Sequence, residues 1–126
     1  APNFAITDIS GKPSELYKSN KEKVLLVFYA SWCPHCKTML PQISELQKTK
    51  RNFEVVAISL DTNREEWKNF IEQNNLNFIH LSDLKGWDGD AAKEYFIYAT
   101  PTMFLLDSAK RIVAKPMTVE ELGITN

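Results

Sequence analysis

Cysteine is scarce in this 126-residue chain: there are two, Cys33 and Cys36. A small scaffold stapled by disulfides would carry four, six or eight. A loop this short would also constrain the unfolded chain very little, so the pair is not there for stability. A dominant charge is missing too. Fifteen basic residues against sixteen acidic ones leave a formal net charge of -1, and the basic residues are scattered. That speaks against a nucleic-acid footprint, and no nucleic-acid partner is expected. No apolar run exceeds the seven residues from Val24 to Ala30. A bilayer span needs about 20, so no stable membrane insertion is expected. The start lacks the basic segment and apolar run of a signal peptide. The expectation is a cytosolic chain, or a mature or excised form whose targeting segment is gone. Repeats, linkers and low-complexity tracts are absent, and the length favours a single domain over 1–126.

What is present is an alternation of strands and helices. Val24 to Tyr29 is a continuous β-branched and aromatic run, the mark of a strand buried on both faces. After Ser31-Trp32-Cys33-Pro34 a helical stretch runs to about Lys50, with Met39, Leu40, Ile43 and Leu46 on one face. Pro41 lies inside it and predicts a kink. Glu54 to Leu60 reads as a second buried strand. Thr62-Asn63-Arg64-Glu65 reads as a capping box, opening a helix that faces inward through Trp67, Phe70 and Ile71. Phe78 to Leu81 is a short strand, and Asp88 or Asp90 is placed to cap a helix carrying Ala91, Ala92, Tyr95 and Phe96. Met103 to Leu106 and Arg111 to Ala114 are strands flanking the polar turn 107–110. Thr118 to Glu121 is a further capping box, opening a very short last helix. The order of elements reads as one α/β domain.

The chemistry lies in Trp32-Cys33-Pro34-His35-Cys36-Lys37, between a buried strand and a helix. Cys33 falls at the cap position and Pro34 at the first helical residue, where a missing N–H costs nothing. The unpaired N–H groups and the positive end of the helix dipole then face the Cys33 sulfur. They favour the thiolate, which is the nucleophile. A protonated His35 adds positive charge nearby. Cys36, one turn on, is on the same side and can attack a mixed disulfide formed at Cys33. A zinc site would need about four ligands, and only His35 and His80 add to the two thiols, with His35 directed away. Haem attachment fails because Lys37, not His, follows the second cysteine. Two inert buried thiols remain the bland reading. The strand–turn–helix context favours redox chemistry over it, with no metal and no cofactor expected.

Several segments together resemble one family. Ala1 to Asp8 with Gly11-Lys12, Phe28 to Cys36, Pro41, Val56 to Asp61 and Ala99 to Asp107 are similar to segments of bacterial thiol-disulfide oxidoreductases. The resemblance is to their TlpA/ResA-like, AhpC/TSA-related branch. It implies a thioredoxin fold, with a central mixed β-sheet flanked by helices and an inserted helix and short strand at about 62–81. It implies a dithiol–disulfide enzyme acting on cysteine-containing proteins, most simply a monomeric extracytoplasmic reductase or isomerase of the bacterial periplasm. A membrane-embedded donor would supply its electrons. Cys33 and Cys36 are then catalytic, tuned by Trp32, Pro34 and His35. Thr100-Pro101 becomes a cis peptide beside Cys33, its backbone available to an extended substrate segment.

Two departures stand out. Thioredoxins often carry a buried acid six residues before the first cysteine, where this chain has Val27. Other members place Glu three after the second, where this chain has Met39. No proton acceptor for Cys36 is assigned. Pro34-His35 is also the dipeptide of DsbA-like oxidants, so a disulfide-forming oxidant is an alternative. A copper- or zinc-binding thioredoxin-like module is another. Trp32 reads as the apolar rim of the docking surface. Trp67, Phe70, Tyr95 and Phe96 read as core, Trp87 as a cover at the site's edge, and His80 as structural.

Overall fold

The two β-branched and aromatic runs form the middle of the sheet. The computed structural model describes residues 5–7, 12–15, 23–49, 53–76, 79–82, 84–89, 92–93, 95, 97 and 99–116. Strands β1 (Ala5–Thr7) and β2 (Pro13–Glu15) pair antiparallel as a separate two-stranded ribbon. Strand β3 (Lys23–Tyr29) leads into helix α1 (Pro34–Thr49), and β4 (Phe53–Ser59) into α2 (Arg64–Gln73). Strands β5 (Ile79–Leu81), β6 (Thr102–Leu106) and β7 (Ile112–Ala114) complete a five-stranded sheet in the order β5-β4-β3-β6-β7. β3, β4 and β5 run parallel, whereas β6 and β7 are antiparallel to their neighbours. The sheet is therefore mixed, and α2 with β5 is the inserted helix and strand expected at 62–81.

Central position explains the composition of β3 and β4. Val24 to Tyr29 are all fully buried, and β4 stays buried from Val55 to Ser59. Each fully buried Val, Leu or Phe contributes about 1.5–3 kcal/mol. Adjacent residues of a strand point to opposite faces. Phe28 accordingly packs tilted against Tyr95 and edge-on to Phe104, at ring distances of 5.5 and 6.3 Å. Tyr29 meets Phe70 of α2 at 5.7 Å. Both faces are covered.

The helices follow their apolar spacing. Helix α1 buries Cys36, Leu40 and Ile43, with Met39 and Leu46 half-buried, and continues through Pro41 as far as Thr49. Helix α2 buries Trp67 and Phe70. Its cap corrects the sequence reading by one residue: Asn63, not Thr62, is the N-cap, and its side chain accepts the Glu66 N–H at 3.1 Å. Asn63 holds the extended backbone (φ -120°, ψ 116°) that a cap requires. Farther on, Ala92 and Tyr95 are buried, and the Lys93 N–H donates to the Gly89 carbonyl at 3.0 Å. Asp90 and the capping box at 118–121 lie outside the described residues, as does the Asp88 side chain.

Candidate active site

Strand β3 ends at Tyr29, and the chain must turn sharply to start α1 at Pro34. The turn is closed by the Cys33 N–H, which donates to the Ala30 carbonyl at 3.2 Å. The Cys33 carbonyl accepts the Lys37 N–H at 3.2 Å, the first bond of the helix, so Cys33 is the residue at the cap. Its sulfur takes the place of a capping oxygen: Cys33 Sγ accepts the Cys36 N–H at 3.3 Å. Pro34, His35 and Lys37 are exposed on the first turn. The His35 ring makes no hydrogen bond to either sulfur among the described residues.

The two sulfurs differ in environment more than in exposure. A Cys33 open to solvent above a covered Cys36 is the arrangement the sequence suggests. Instead both are buried, at 4% and 0% exposure, and the segment before β6 lies against Cys33. There the Cys33 thiol lies 3.6 Å from the Thr100 carbonyl oxygen, to which it donates. The Thr100–Pro101 peptide is cis, and residues 99–101 remain partly open to solvent. Burial, and then the hydrogen bond to the Cys33 side chain, push the Cys36 thiol up to about 12. Val27 and Met39 occupy the positions at which an acid would serve as proton acceptor for Cys36, and Val27 is fully buried.

Around this centre are residues that the sequence placed less completely. Trp32 is 52% exposed and Trp87 42% exposed, and their rings meet at 6.2 Å. Trp87 stands on a 3₁₀ turn that begins at Gly86, whose φ of +61° suits glycine. A Cβ there would also come within 3.2 Å of Thr62 Cγ2. His80 is structural, as read. Its Nε2 lies 3.0 Å from the Leu76 carbonyl, so that nitrogen carries the proton and Nδ1 accepts. The Tyr29 hydroxyl, 3.0 Å from Nδ1, therefore donates to it while accepting Trp67 Nε1–H at 2.8 Å. Burial lowers His80 to about 4 and holds the Tyr29 hydroxyl well above its ordinary value. Asp61 went unremarked in the sequence except as the end of a matching segment. Its carboxylate is 1% exposed and accepts hydrogen bonds from Ser31 and Ser59.

A five-stranded mixed sheet with a Cys-Pro-His-Cys turn at a helix start defines a thioredoxin-fold protein carrying a dithiol turn. The chain matches the AhpC/TSA family over residues 1–115, and it belongs to that family, in the TlpA/ResA-like branch. It is 34% identical over 115 residues to the thiol-disulfide oxidoreductase ResA of Bacillus thuringiensis, covering 90% of this chain and 65% of that protein. It is 35% identical over 127 aligned positions to the sporulation thiol-disulfide oxidoreductase A of Bacillus subtilis, covering 94% and 74%. A solved thiol-disulfide oxidoreductase from Bacteroides fragilis is 30% identical, with a TM-score of 0.85, covering 99% of this chain and 95% of that one. The chain thus spans about 65% of the length of the ResA proteins it matches.

Proposed function

We propose that the chain is a protein thiol-disulfide oxidoreductase working through Cys33 and Cys36, as one thioredoxin-like unit over 1–126. The observation that carries this reading is the asymmetry of the two sulfurs. Cys33 Sγ receives the Cys36 N–H at 3.3 Å, at the start of α1, whereas the Cys36 thiol is pushed up to about 12. Thiolate at Cys33 is thereby favoured over thiolate at Cys36. In the reductive direction the Cys33 thiolate attacks one sulfur of a substrate disulfide, and the other leaves as a thiolate. Cys36, once deprotonated, attacks Cys33 Sγ and releases the second substrate thiol. The substrate gains two electrons and the pair closes to a disulfide.

The substrates are cysteine-bearing polypeptides. The backbone at Thr100 and Pro101 lies beside Cys33 and suits an extended segment, while Trp32 and Trp87 offer it an apolar rim. Trp32, Pro34 and His35 tune the centre from the turn and the first helical residues. We infer that the chain works outside the cytoplasm, as a monomer kept reduced by a membrane-embedded donor. Among the described residues no helix is long and apolar enough to cross a membrane. A copper or zinc module needs ligands beyond the two thiols. Among the described residues no three His, Cys, Asp or Glu side chains converge, and both ring nitrogens of His80 are already engaged.

Turnover of a disulfide-bonded protein such as insulin, with dithiothreitol as electron source, tests the reading. Wild type should accelerate reduction and Cys33→Ser should not. Stoichiometric retention of copper or zinc after desalting, with no turnover, would replace it with the metal reading.

A further inference from the structure

The β3–β4 ladder stops at the pair Tyr29–Ser59, and the last backbone bond between the two chains runs from the Leu60 N–H to the Tyr29 carbonyl at 2.7 Å. Beyond it the β3 chain leaves the sheet to build the cysteine turn, and the Ser31 N–H loses its strand partner. A side chain takes over. Both carboxylate oxygens of Asp61 lie on the Ser31 N–H, at 3.2 and 3.1 Å, and Oδ1 also accepts the Ser31 hydroxyl. Asp61 is anchored in turn: Oδ2 accepts the Ser59 hydroxyl, whose oxygen accepts the Asp61 N–H at 2.9 Å. Three donors converge on two oxygens. A carboxylate, with about four lone-pair sites, satisfies them all, and such charge-assisted bonds are roughly twice as strong as neutral ones. The rest of the local framework is fastened to the same strand end. The Ser82 hydroxyl donates to the Ser59 carbonyl at 3.0 Å and accepts the Leu84 N–H at 3.0 Å.

We propose that Asp61 is a positioning residue for the exchange centre. By holding residue 31 where the ladder ends, it fixes the turn that places Cys33 Sγ on the Cys36 N–H and beside the Thr100 carbonyl. The inference rests on the thiol-disulfide reading above. Among the described residues Asp61 hydrogen-bonds to neither sulfur; it acts through Ser31. Its charge also acts on the Tyr29 hydroxyl, as a lesser contribution beside burial.

The test compares Asp61→Ala and Asp61→Asn with wild type. It follows the pH profile of Cys33 alkylation in the reduced full chain, together with the thermal midpoint. Cys36, held up to about 12, stays outside the profile near neutrality. With alanine the turn is released and Cys33 loses its N–H contact. Alkylation near pH 7 should slow about tenfold and the profile's midpoint should move up. With asparagine one oxygen still accepts the Ser31 N–H, so rate and midpoint should return to within about twofold of wild type.

Two results overturn the proposal. A downward midpoint in both variants means that Asp61 acts only through its charge. A lower thermal midpoint with an unmoved profile in Asp61→Ala means that it serves stability alone. If the alanine variant does not fold, a downward midpoint in Asp61→Asn overturns the proposal, and a retained profile supports it. Alkylation needs no protein substrate. Failure of the oxidoreductase reading would appear separately, as a wild type that alkylates normally yet turns over no disulfide.

Discussion

Cys33 Sγ and the Thr100 carbonyl oxygen stand 3.6 Å apart although 67 positions separate the residues in sequence. The antiparallel register of β3 and β6 brings them together: Phe28 pairs with Thr102, so the residues just outside the two strand ends meet. The sulfur is thereby held between the first turn of α1 and a backbone carbonyl. On the proposed function, an incoming disulfide approaches beside that carbonyl, with its own chain alongside residues 99–101.

Alkylation should distinguish the two cysteines despite their similar burial. The Cys36 thiol sits at about 12 through burial and its hydrogen bond with Cys33, so it offers almost no thiolate near neutrality. Mass mapping of reduced protein after brief iodoacetamide treatment at pH 7 should find the label on Cys33. Preferential labelling of Cys36 would reverse the assigned roles.

Fixed roles also predict an asymmetry in trapping. Cys36→Ser removes the resolving thiolate and should accumulate mixed disulfides between Cys33 and protein substrates, visible on non-reducing gels. Cys33→Ser should capture almost none. Equal capture by both variants would contradict a two-step scheme with one attacking sulfur.

How far this could be read in advance varied with the range of the interaction. Val24 to Tyr29 and Glu54 to Leu60 announce central strands because burial on both faces leaves a mark in every residue. The Cys33–Cys36 turn is a local motif, legible from its spacing and from Pro34. Asp61 is different. In Val56 to Asp61 it looks like an ordinary polar strand end, and only the approach of Ser31, 30 positions away, turns it into a bonded group. Trp67 likewise reads as core by its helical spacing, and that is correct. Its N–H bond to Tyr29 and the link from there to His80 depend on the packing of α2 against β3 and on β5. The near-equal burial of the cysteines was hidden for the same reason, since the segment at Thr100 that lies against Cys33 is distant in sequence. The shift of the α2 cap from Thr62 to Asn63 is a smaller matter. Two adjacent capping residues compete, and the backbone path leaving β4 selects the second.

Stability should fall on acidification through His80. Its folded value of about 4 lies below the ordinary 6.5, because burial penalises the charged ring. Between these values the unfolded chain binds the extra proton and the folded chain does not. The stability contribution is therefore fully present above pH 6.5 and is lost as pH falls towards 4. The difference corresponds to about 3 kcal/mol. Urea unfolding at pH 7 and pH 4.5 should show the loss in wild type and a smaller one in His80→Gln. An equal loss in both would assign the acid sensitivity to other groups.

The final prediction concerns the direction of electron flow. The fold and relatives include proteins named as oxidoreductases without a stated direction, while Pro34-His35 is the dipeptide of an oxidant's centre. Physically, anything that stabilises the Cys33 thiolate stabilises the reduced form and raises the potential. The N–H bond from Cys36 does this at the start of α1, and on the proposed function a protonated His35, exposed one position past Pro34, would add to it. The buried carboxylic acid of many thioredoxins has no counterpart at Val27, so no negative charge at that position opposes the effect. We expect a potential above thioredoxin's, about -270 mV, and below DsbA's, about -120 mV. Equilibration with glutathione buffers, read by the fraction of free thiols, measures it. His35→Ser should lower the potential, and each 30 mV lost corresponds to about 1.4 kcal/mol. An unmoved potential in that variant would leave the helix start as the sole source of the bias. A wild-type value below thioredoxin's would reject the electrostatic argument itself. A value within the expected interval is compatible with a reductase or isomerase only where an external donor keeps the pair reduced, which is why such a donor belongs to the proposed function.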